Sequence, residues 1–192
     1  MEYLEDLPSN YSLLPSSAYP AAGGPTDAAR ARAHSRLWTD HVNRRVVPLF
    51  YALLQAQDPG KQVEKAGELK DEIAKLVEAA DPVGPFFLGE GISFVDVQVA
   101  PWMLRLRRVM KPYRGWPDPE EGSRWARWVD AVEGDEAVRG TVSGDELYVD
   151  SYERYAGMSS SFLSVVCLGC EWGRWGFRRM NADRVGREST RY

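Results

Sequence analysis

Histidine and cysteine are nearly absent from this sequence, with two of each in 192 residues. Two cysteines cannot build a disulfide framework, and a reducing compartment, the cytoplasm, follows as the default. No run of about 20 apolar residues occurs, which excludes an integral membrane helix. Met1 to Asn10 carries no basic n-region and does not read as a secretory signal. Positive charge is not in excess either: 24 Lys+Arg stand against 28 Asp+Glu, a formal net charge of -4. Nucleic acid and anionic membranes therefore have no electrostatic claim as partners. No stretch alternates with period two over the length of a strand, so sheet is not expected. What is present is 44% apolar and 27% charged residues, enough chain to bury roughly 70% of its unfolded surface without a staple. Seven tryptophans exceed what one small core requires.

The charge is unevenly spread. Residues 157–192 hold Arg174, Arg178, Arg179, Arg184, Arg187 and Arg191 against Glu171, Asp183 and Glu188, a balance of +3. Against -4 overall, the first 156 residues then carry -7. Helix starts and stops punctuate the chain up to Ala156 and cease there, which divides it into residues 1–25, 26–156 and 157–192. The last segment reads as an irregular or disordered basic tail. Membrane contact through Phe162, Leu163, Trp172 and Trp175, or translation of retained intron or a shifted frame, are its other readings.

Within 26–156 the helical signals are local and strong. Thr26 or Asp27 can cap a long helix to about Gln57. Trp38, Val42, Val46, Leu49 and Leu53 mark one face, and Val47, Phe50 and Leu54 a second stripe. Pro48 predicts a kink within it. Asp58-Pro59-Gly60 ends that helix, and a second, Lys61 to Ala80, turns Val63, Leu69, Ile73, Leu76 and Val77 inward. Phe86, Phe87 and Leu88 form a buried crossing. The third helix opens on a capping box, Ser93 with Asp96, and a hydrophobic staple, Ile92 with Val97. It is apolar nearly all round as far as Arg105, which places it in the middle of the domain. Asp118-Pro119-Glu120-Glu121 predicts the start of a fourth helix, with Trp125, Trp128, Val129 and Val132 inward and Gly134 at its end. After a short turn over Glu136 to Arg139, Ser143 to Glu146 reads as a second capping box. The final helix carries Leu147, Tyr148, Tyr152 and Tyr155. The fold class expected is an all-α bundle.

The box Ser93-x-x-Asp96, preceded by Phe87-Leu88-Gly89 and followed by Ala100-Pro101-Trp102 and Arg105, resembles the C-terminal helical domain of cytosolic glutathione transferases. Pro101-Trp102-x-x-Arg105-Leu106 and Val46-Val47-Pro48 look most like the omega-like class in its fungal form. Glu2-Tyr3-Leu4-Glu5 resembles the last helix of that family's thioredoxin-like domain, and residues 8–25 its linker. The resemblance implies the electrophile-binding half of a glutathione-dependent thiol transferase or dehydroascorbate reductase. It also implies glutathione as co-substrate, a small electrophile or disulfide as substrate, and a homodimer as a candidate assembly. The family's glutathione-binding residues and catalytic cysteine have no counterpart in these 192 residues, so tight glutathione binding and turnover are not expected of this piece. A reading from another class is a non-catalytic helical module for protein contact.

The resemblance implies that Trp102, Arg105, Phe50 and Leu54 line the electrophile pocket. Read bottom-up, Trp102 is equally a core residue. Arg105, a cation on an apolar helix, needs an anion, either a ligand or a carboxylate such as Asp96 or Glu90. Asp96 is explained by its box, and with Ile92, Ser93 and Val97 it is structural. No catalytic residue is assigned. His34 and His41, seven apart on one helix, have no third ligand in the sequence pattern, so no metal is expected. Arg44-Arg45 and Arg105, Arg107, Arg108 read as a solvated face or a subunit contact. Cys167-Leu168-Gly169-Cys170 is a C-x-x-C pair without the strand-helix context that would activate it.

Overall fold

The computed structural model describes residues 12–15 and 28–157. The expected remnant helix at Tyr3 to Leu7, the cap at Thr26 or Asp27, the C-x-x-C pair and the basic tail lie outside the described residues. Within them the chain is helical, without a strand; a lone bridge joins Phe86 and Gly89.

The long first helix is a composite. Helix α1 (Ala28–His41) runs into a π turn, Val42–Val46, and on into α2 (Val47–Gln55). Pro48 explains the middle piece. Its ring has no N–H to give and crowds the carbonyl four residues back. The widened turn, in which the Val47 N–H reaches the Val42 carbonyl, accommodates both. The predicted kink is thus absorbed as a π turn. Helix α3 (Pro59–Ala79) follows at once, capped by Asp58, whose carboxylate accepts the Lys61 N–H at 2.9 Å. Asp58-Pro59 therefore opens a helix as well as closing one.

The central helix repeats the device. Helix α4 (Phe94–Arg105) passes through a π turn, Leu106–Met110, into α5 (Lys111–Arg114), and the Lys111 N–H bonds the Leu106 carbonyl just ahead of Pro112. Segment 12–15 lies at the start of α4, where the Leu13 carbonyl accepts the Phe94 N–H at 2.8 Å. Helix α6 (Arg124–Gly134), the single-turn α7 (Glu136–Gly140) and α8 (Asp145–Ala156) complete the bundle. The core joins Phe50, Leu53 and Leu54 of α2 with Leu69 and Leu76 of α3, Val95, Val99 and Met103 of α4, and Trp128 of α6. The expected middle position of α4 is what the molecule has.

Three local expectations are corrected. Helix α6 starts six residues later than Asp118, at a cap made by Ser123, whose hydroxyl accepts the Ala126 N–H at 3.0 Å. Gly122 sits at φ 75°, outside helical space, so no helix runs through it, and Asp118 pairs with Lys111 instead. The Ser143 box does not form: Gly144 is the cap residue of α8, with no side-chain bond. Val63 faces water at 69% exposure while its neighbour Gln62 turns in and donates to the Ala56 carbonyl at 2.8 Å. That bond closes the tight α2–α3 turn and fixes the rotation of the first turn of α3.

Candidate functional site

The capping box of α4 has grown into a buried junction. Asp96 is fully buried, and its carboxylate accepts four bonds. The Ser93 N–H (2.7 Å) and Ser93 hydroxyl (2.5 Å) come from its own helix start, the Phe87 N–H (2.9 Å) from the crossing loop, and the Trp128 indole N–H (2.6 Å) from α6. Burial pushes the carboxyl above its usual range, and the four donors pull the other way. Every lone pair is spoken for, so Asp96 is a scaffold group and no reagent. Ile92 and Val97, the proposed staple, flank this junction half-buried.

Trp102 and Arg105 lie one turn apart further along α4 and share an aromatic face. Trp102 meets Phe50 and Tyr51 of α2 edge-on, with ring centres 5.5 and 6.0 Å away. From α8, Tyr152 stacks on Tyr51 at 6.5 Å and Tyr155 lies 5.9 Å from Tyr152. The Arg105 guanidinium sits against the rings of Trp102, Tyr148 and Tyr152, at 5.4, 5.7 and 5.9 Å. It donates through Nε to the Tyr152 hydroxyl at 2.7 Å and through Nη1 to the Pro101 carbonyl at 2.8 Å. The carboxylates suggested for it, Asp96 and Glu90, are not its partners. Burial raises the Tyr51 hydroxyl above its ordinary value, helped by Tyr152.

Three helices thus build a half-buried patch of rings with Arg105 against three of them, Arg108 against Tyr148 and Arg154 against Tyr155. Comparison with known proteins gives it a context. Residues 29–131 match the family model of the glutathione S-transferase C-terminal domain. The chain belongs to the glutathione S-transferase family. Among its relatives is the probable glutathione S-transferase GSTU1 of rice, Oryza sativa subsp. japonica. The two are 33% identical over 135 residues, which cover 67% of this chain and 54% of that protein. The rice protein named as a probable cytosolic glutathione S-transferase DHAR1 is 32% identical over 80 residues, 42% of this chain and 37% of its own length. Glutathione transferase Omega 3C from Trametes versicolor is 38% identical, with a TM-score of 0.59 over 68% of this chain and 55% of that one. A Tau class enzyme from mango, at 20% identity and TM-score 0.59, covers 69% of this chain and 62% of its own, and shares the fold. The chain spans about half the length of the curated relatives it matches, or less.

On this glutathione S-transferase domain the other sequence candidates separate. Phe50 is 1% exposed and stands behind Trp102, where it supports the patch. Leu54 is wholly buried among core residues and offers no surface to a ligand. His34 stacks on Phe87 at 5.8 Å, and burial lowers its pKa below 6.5. His41 lies 3.3 Å from the Glu72 carboxylate. Among the described residues no three His, Cys, Asp or Glu cluster as a metal set. Arg44 pairs with Asp40, Arg107 with Glu133 and Arg108 with Asp145.

Two arginines escaped the sequence reading. Arg114 donates to the carbonyls of Leu53 and Leu54 at the end of α2, to Tyr113, and to Ala156 at the end of α8. Arg124 holds the carbonyls of Asp81, Pro85 and Phe86 in the crossing loop, at 2.7, 3.3 and 2.8 Å. Both serve backbone acceptors at helix ends and in the crossing loop. No side-chain pattern in the sequence points to a backbone carbonyl forty or sixty residues away.

Proposed function

We propose that this chain is the electrophile-binding half of an omega-like glutathione transferase, with the patch around Trp102 and Arg105 as the wall on which the electrophile lies. Identity of 38% to the Omega enzyme of Trametes versicolor supports the class. Exposed or half-buried rings on α2, α4 and α8, joined at Trp102, support the site. Aromatic faces of this kind take up flat apolar molecules by stacking and area burial. The attacking thiolate of glutathione-dependent transfer is not supplied by the patch, because residues 28–157 contain no cysteine. In this reading glutathione is the co-substrate and the compartment is the cytoplasm.

The reading rests above all on the open side of Trp102, and ligand titration followed by the tryptophan indole N–H signals in NMR tests it. Adding 2-naphthamide, a flat neutral aromatic, to the 192-residue chain shifts the Trp102 signal first. Trp102→Leu weakens the binding by about fivefold or more. Shifts that spare Trp102, or an affinity unchanged in the variant, remove the assignment.

A further inference from the structure

The arginines half-buried in this domain fall into two groups. Arg114 and Arg124 each donate from Nε, Nη1 and Nη2 to three or more backbone carbonyls, so their forks are filled. Arg105 makes two hydrogen bonds, from Nε and Nη1, and its Nη2 makes none with the described residues. It forms no ion pair among them either, although Arg107 and Arg108, the next two arginines along the chain, both do. A guanidinium against three rings with an empty donor is electrostatically unfinished: the rings offset part of the charge, and the free N–H groups still favour an acceptor.

We propose that Arg105 makes this patch selective for planar aromatic anions, with the ring against Trp102 and a carboxylate on the free Nη2 edge. The inference rests on the patch binding aromatic ligands at all, and it adds the charge class of the ligand. The geometry supplies both halves of the recognition. Trp102 offers a half-buried ring, and a planar cation lies 5.4 Å from its centre. A carboxylate meets a guanidinium in the plane of its N–H groups, and the charge-assisted bond is roughly twice as strong as a neutral one. Tyr152 holds Nε through its hydroxyl and so fixes the direction in which Nη2 is presented.

Calorimetric titration of the 192-residue chain with 2-naphthoate and with 2-naphthamide tests this, since the two ligands share a ring system and differ in charge. The expected result is a preference for the acid of about tenfold or more. Arg105→Met abolishes that preference, bringing the acid and amide affinities level, while Arg105→Lys, which keeps the charge without the fork, retains part of it. The exposed Arg139→Gln, removing the same net charge elsewhere, leaves the preference intact. Tyr152→Phe, which releases Nε and with it the direction of Nη2, lowers the preference for the acid without abolishing it. Equal affinity for acid and amide, each dependent on Trp102, overturns the anion selectivity while the aromatic site stands. If neither ligand binds, both fall.

Discussion

At the scale of single residues, Asp96 shows how a local motif acquires long-range work. A capping box needs only the Ser93 and Asp96 contacts; here the same carboxylate also holds Phe87 and Trp128. Asp96→Ala strands three N–H donors in a dry site, at about 1–3 kcal/mol each. The expected loss of stability is about 4 kcal/mol, read as a lower urea midpoint. Asp96→Asn is milder, about 2 kcal/mol, because its amide nitrogen can face only donors on one side. A midpoint unchanged in either variant would show that the junction carries no weight. The box was legible in the sequence because its partners are three residues apart. The two further bonds were not, since Phe87 and Trp128 reach Asp96 across nine and 32 positions.

At the scale of elements, α8 is attached differently from the rest. Only Ala156 is buried on it, and Leu147 is 59% exposed. Polar ties hold it: Tyr113 donates to the Val149 carbonyl at 2.6 Å, and Gln57 (2.9 Å) and Arg114 (2.8 Å) both donate to Ala156. Gly157 closes the helix in the left-handed region at φ 57°, and a Cβ there would come within 2.9 Å of the Gln57 side chain. An element with little apolar burial opens locally before the core does. Arg114→Leu therefore speeds amide hydrogen exchange in α8 by about tenfold while α4 near Asp96 keeps its protection, for roughly 1–2 kcal/mol of lost hydrogen bonding. Equal acceleration in both helices contradicts an independently tethered α8. The sequence marked this helix correctly from its tyrosines. It misjudged the start, because Ser143-x-x-Glu146 fits a box as well as Ser93-x-x-Asp96 does, and only packing selects between them.

At the scale of the whole molecule, His34 couples three parts of the bundle. It lies on α1, stacks on Phe87 of the crossing loop, and bonds the backbone at Ala79 of α3. Burial lowers its pKa in the folded state below the unfolded 6.5. Below that value the unfolded chain binds the proton first, so stability falls as pH drops through the window beneath 6.5 and is unaffected by His34 above it. Thermal melts from pH 7.5 to 5 should show that decline, and His34→Gln should flatten it; an identical slope in the variant excludes His34 as its source. By itself the sequence determined the all-α class, the central place of α4 and the candidate residues, because helix periods and caps are written within a few positions of the chain. Only the tertiary structure decided which stripe residues meet solvent: Phe50 and Leu54 share a face with Trp102's neighbours, yet both are sealed in. It also decided that Arg105 finds rings and a tyrosine hydroxyl in place of a carboxylate. Those outcomes depend on what α8 brings across from 47 residues away, and a local pattern holds no record of a partner at that distance.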